Sequence, residues 1–132
     1  MNRIFDGTTL RGTPGLYPLT AENLFRVGLA LSLLLQTDRC IEKPVLSLDH
    51  PDFVTLSIAV GFMNGGGTVR VDGSGDLEIV CRRGEEWVVS IGGLSEADIR
   101  KLEIILFGRT PMPRRTGSAI GRVEPWTQSG RP

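Results

Sequence analysis

At 132 residues the chain has the length of one domain and can bury a real core. Its 15 basic and 15 acidic side chains cancel, which removes any global electrostatic case for nucleic acid or an anionic membrane. No export signal is visible, and the longest apolar-rich stretch, residues 24–35, is interrupted by Arg26 and too short to span a bilayer. Cys40 and Cys81 stand apart, and His50 is the sole histidine, so a pair of free cytoplasmic thiols is expected rather than a zinc site or a disulfide.

In chain order, residues 3–5 read as a short first strand. A Gly-rich loop follows, from Asp6 to Gly15, carrying Thr8, Thr9 and Arg11. Its glycines let backbone approach a ligand, and its hydroxyls and guanidinium suit phosphate oxygens. The same composition also suits an ordinary connector with a solvated arginine. Thr20 is the expected N-cap of a first helix, with Glu22 in its first turn and an end near residues 36–38. Leu24, Val27, Gly28, Leu31, Leu34 and Leu35 give it a broad apolar face, widened by Phe25, Leu29 and Leu33.

Residues 44–49 form an expected second strand, and His50-Pro51-Asp52 a turn and cap. The second helix is expected over 53–63, with Phe53, Leu56, Val60 and Met63 on one stripe, stopped by Gly65 to Gly67. Residues 68–72 read as a third strand, completing a parallel βαβ unit. After a turn at 73–76, residues 77–81 and 87–91 read as an antiparallel hairpin joined by Arg82-Arg83-Gly84-Glu85-Glu86. Ser95 with Asp98 forms a near capping box for the third helix, stapled by Leu94 and Ile99 and ended by Gly108. From Arg109 on, basic residues and prolines dominate; 119–123 reads as a short edge segment, and 126–132 as a loose tail behind a domain of residues 1–125.

This order of pieces resembles the first domain of the α-D-phosphohexomutases, the phosphoglucomutase and phosphomannomutase superfamily. Phe5, Thr8, Arg11 and Gly12 match the opening F-G-T-S-G-x-R-G. Leu19-Thr20 match the start of the helix, Gly92-Gly93-Leu94-Ser95-Glu96 through Ile99 match a later motif, and Ile120-Gly121-Arg122-Val123 match the domain's end. The resemblance implies an α/β fold of three layers, α/β/α, with a small mixed sheet and three main helices. It implies a phosphate-binding set of Thr8, Arg11, Arg82 and Arg83, the last two because they occupy the place of the family's catalytic loop.

The departures from the family are chemical. Where the family reads G-R-D-x-R, this chain has Ser47-Leu48-Asp49-His50-Pro51. Where the family has its phosphoserine loop, it has Val80 to Glu86, with no serine. The helix between the third and fourth strands is replaced by the turn at 73–76. The family's magnesium ligands are missing, so no cofactor is expected. Ser74 and Ser90 stand at unsuitable places for a nucleophile. Phosphoryl transfer needs positioning and charge neutralisation, and neither has its residues here. The expectation is a non-catalytic module that binds a phosphosugar or other anion, or that assembles as a homo-oligomer or on another protein. The alternative is one subunit of a split phosphohexomutase. Asp49-His50 at a strand end, Trp87 and Trp126 are lesser candidates, each with a structural reading as cap, core or loose aromatic.

Overall fold

The computed structural model describes residues 4–71 and 73–108. They form five strands and three helices: β1 (Thr9–Gly12), α1 (Ala21–Asp38), β2 (Val45–Leu48), α2 (Phe53–Asn64), β3 (Thr68–Arg70), β4 (Leu77–Arg82), β5 (Trp87–Gly92) and α3 (Glu96–Phe107). One sheet holds all five strands in the order β1-β5-β4-β2-β3. β2 runs parallel to both β3 and β4, and β5 runs antiparallel to β4 and β1. This is the α/β fold expected, with its mixed sheet, βαβ unit, antiparallel hairpin and three helices. The segment at 119–123, the basic residues from Arg109 on and the tail at 126–132 lie outside the described residues.

The first strand is displaced from its expected place. Ile4 and Phe5 pair with no strand; their backbone N–H groups donate to Glu103 Oε2 of α3 at 3.2 and 3.3 Å, and Phe5 is buried in the core. The chain then reverses through Gly7 and Thr8, with Asp6 and Thr9 exchanging both backbone hydrogen bonds. Gly7 sits at φ +66, the conformation that a two-residue hairpin turn demands of its first central residue. The strand begins only after this turn, where Leu10 points into the core.

The caps follow the sequence closely. Thr20 accepts from Asn23 N, and Asp52 with Thr55 and Ser95 with Asp98 form complete capping boxes.

Along β4, Leu77, Ile79 and Cys81 are buried, whereas Glu78, Val80 and Arg82 are exposed. Leu46, Leu48, Val89, Ile91 and Leu10 share the buried side. α1 packs against both α2 and α3, so the three helices lie side by side over that one face of the sheet. Among the described residues the second helical layer of an α/β/α sandwich is not formed. Its place is taken by the β3–β4 connection, which crosses β2 without a helix, although parallel crossovers usually need about a dozen residues or more. Ser47 Oγ donates to Gly73 O at 3.1 Å and Asp76 N to Val45 O at 2.8 Å, fastening that short crossing to the strand beneath it. The uncovered face is mostly polar, as water-facing sheet surfaces are.

The stripe expected on the second helix is real but faces outward. Phe53, Leu56 and Val60 are 46%, 47% and 50% exposed, while Val54, Thr55, Ile58, Ala59, Gly61 and Phe62 are buried. Because α2 is apolar nearly all round, periodicity alone does not choose its inner face. Gly61 does. A Cβ there would overlap Phe25 O of α1, and one at Gly28 would overlap Ile58 O of α2, so each helix backbone passes over the other's glycine.

Candidate functional site

Three regions carry chemistry or unusual surface: the expected phosphate set, a cleft at the end of β2, and the outer face of α1 and α2.

The phosphate set is divided. Arg11 and Arg82 do reach one surface, since Arg11 and Arg82 both pair with Val88 of β5 and so stand on the same side of the sheet. With strands about 4.8 Å apart, their Cα atoms lie roughly 10 Å from each other. Arg11, however, is already engaged: its Nε lies 3.2 Å from Asp6 Oδ2 and its Nη1 lies 3.7 Å from Glu86 Oε1. An incoming phosphate would have to compete with two carboxylates for one guanidinium. Thr8 occupies the corner of the Gly7-Thr8 turn, and the neighbouring hydroxyl of Thr9 donates to Asp6 O. Two donors of the Gly-rich loop, the Thr9 hydroxyl and Arg11 Nε, are thus engaged with Asp6 of the same loop.

Arg83 turns to the other side of the sheet. Its Nη2 lies 2.6 Å from Asp52 Oδ2, and its guanidinium sits 5.6 Å from the Trp87 ring centre. Asp52 spends its other oxygen, Oδ1, on Thr55 N, so one carboxylate caps α2 and ties the hairpin tip to it. Trp87 packs partly against the core. Of the three arginines, Arg82 alone has no ion pair among the described residues.

Beneath the hairpin tip lies Cys81. Burial pushes its thiol up to about 11, and the nearby Asp52 carboxylate adds to the rise, with Arg83 acting against it. A thiol so held is protonated at neutral pH and is no nucleophile.

The cleft has a volume of about 210 Å³ and is lined by Ser47, Leu48, Asp49, Val71, Gly73, Glu78, Ile79 and Val80. It opens at the carboxyl end of β2, between two strands reached by successive connections on opposite sides, the position at which open α/β sheets bind ligands. Its charged lining is acidic, from Asp49 and Glu78, which disfavours a phosphate there. Ser47 is buried, but its hydroxyl is committed to Gly73 O. His50 contributes its backbone oxygen to Thr55 Oγ1. Among the described residues no group of three or more His, Cys, Asp or Glu side chains is placed to hold a metal ion. Neither is any described helix long and apolar enough to cross a membrane.

The third region was only half legible in the sequence. Over its 12 residues α2 carries no charged side chain. Phe53, Leu56 and Val60 project outward, and beside them Phe25, Leu29 and Leu33 of α1 are only partly buried. The contact of Gly61 with the backbone of Phe25 and Leu29 brings the two sets together into one apolar surface. The signal that marks it is the absence of charge on both faces of α2, not the stripe itself.

Comparison with protein-family models and with curated proteins finds no match for this chain.

Proposed function

We propose that this protein is a non-catalytic module resembling the first domain of the phosphohexomutases, and that it works by assembly through the outer face of α1 and α2. One observation carries the reading: α2 has no charge over its length, yet Phe53, Leu56 and Val60 remain about half exposed. A helix apolar on every side belongs in an interior, and a partner's surface completes that interior.

The non-catalytic part is supported by the environment of the family's reactive positions. The segment in place of the phosphoserine loop, Val80 to Glu86, offers a buried protonated thiol and arginines, one of them bound to the α2 cap. The anion-binding alternative is weakened by the carboxylates on Arg11 and Arg83, which leave Arg82 as the one arginine of the set with no ion pair among the described residues.

The test is incubation of the purified chain with glucose 1-phosphate, the 1,6-bisphosphate activator and magnesium. The reading predicts no turnover. Sustained conversion to glucose 6-phosphate by the chain alone would overturn it.

A further inference from the structure

The partner's chemistry follows from the surface itself, and this step rests on the assembly reading above. We infer that the apolar face of α1 and α2 seats the same face of a second copy of this chain, so that four helices pack across a two-fold axis.

The face is suited to itself. A two-fold contact sets one patch against its own copy, so any unbalanced charge in the centre meets a like charge. Here the centre has none: Phe53, Leu56 and Val60 are flanked by Phe25, Leu29 and Leu33, with polar Ser57 and Asn64 between and beside them. The spacing of Phe53, Leu56, Val60 and Met63 is that of alternate core positions in a helical seam. Laid antiparallel about a point between Leu56 and Val60, each large side chain meets a smaller or more pliable one. Leu56 faces the partner's Val60, and Phe53 faces the partner's Met63.

Other occupants fit less well. A helix that lies on an anionic membrane carries lysine or arginine along its polar border. α2 has no such residue, and α1 carries charges of both signs, Glu22, Arg26 and Asp38, with Arg26 turned to Leu106 O of α3. A charged peptide would find nothing to pair with in the centre of the patch. Size also agrees. Stable interfaces bury about 600 Å² or more per partner, and six apolar side chains, three of them about half exposed and three partly buried, supply the apolar centre of such a contact. The balanced charge of the chain, 15 basic against 15 acidic residues, removes long-range repulsion between copies.

Light scattering over a dilution series tests the inference with three proteins: the wild type, Val60→Lys, and Val80→Lys on the helix-free sheet face. The expected result is a dimer of the 14.4 kDa chain for the wild type and for Val80→Lys. Val60→Lys should be monomeric, with its dissociation constant raised roughly 100-fold or more by a lysine in the apolar centre. Far-ultraviolet circular dichroism of that variant should match the wild type, because Val60 is half exposed and lies outside the buried core. A wild type that stays monomeric, yet binds an apolar fluorescent dye that Val60→Lys does not bind, overturns the second-copy inference while upholding the apolar docking face. A dimer that Val60→Lys leaves intact, or a monomer whose dye binding the substitution does not change, overturns both.

Discussion

Gly28 of α1 and Gly61 of α2 each lie under the other helix's backbone, so the two helices cross with no side chain between them at that point. This contact fixes which side of α2 is inside. It also sets Phe25 and Leu29 beside Val60, producing the continuous apolar surface on which the assembly reading depends. Gly28→Ala should therefore cost about 1–3 kcal/mol, since the added methyl has rigid backbone rather than a movable side chain in its way. Urea denaturation measures it; a loss below about 1 kcal/mol would mean that the helices are less closely apposed.

The hairpin tip is held by Arg83 and Asp52, but the two partners are unequal. Asp52→Ala removes an N-cap, half of a capping box and the ion pair together, and should destabilise the fold by about 1–2 kcal/mol. Arg83→Ala removes only a partly exposed pair and its contact with Trp87, and should cost about 1 kcal/mol or less. Thermal melts of the two variants check the order. The reverse order would mean that the cap is supplied by other groups.

The two thiols should differ sharply. Cys40 is exposed and Cys81 buried, so a thiol reagent at pH 8 should modify Cys40 quickly and Cys81 only on unfolding. The raised folded-state value of Cys81 also gives a pH dependence. Its contribution is complete below the unfolded thiol value, near 9, and is lost as pH rises from there through about 11. Melts of the wild type and Cys81→Ala from pH 7 to 11 should show the wild type losing stability more steeply above pH 9; parallel curves would contradict the assignment.

At the other end of the scale, Asp98 is held below the usual carboxylate range, chiefly by the Ser95 backbone N–H, with the Ser95 hydroxyl and Arg39 assisting. A lowered carboxylate value means stability that is present above the unfolded value and lost as pH falls through the folded one. Asp98→Asn should remove part of the acid sensitivity of α3 in melts between pH 5 and 2. An unchanged acid limb would place the sensitivity elsewhere.

Much of this architecture was legible because its signals are local. Thr20, Ser95 with Asp98, and the alternation of Leu77, Ile79 and Cys81 each announce an element within a few residues. What stayed hidden depends on distant contacts. Ile4 and Phe5 have strand composition, but Glu103, almost the whole described chain away, takes their backbone donors. Arg11 in its Gly-rich loop looks poised for phosphate until Glu86 on a neighbouring connection is brought to it. The inner face of α2 was hidden for a different reason. With apolar residues on every side, no period distinguishes the buried face, and only the glycine contact with α1 selects it. Among the described residues the single helical layer follows from the short crossing at 73–76, whose missing helix was readable although its consequence for layering was not.

Contact between two copies of this chain through α1 and α2 is tested most directly by a nitroxide placed at Asn64→Cys in a Cys40→Ser background, where buried Cys81 escapes labelling. Dipolar electron resonance between the labels of two chains should give a defined intermolecular distance that disappears in the Val60→Lys variant. The same distance in both proteins, or no intermolecular coupling in either, would contradict the account.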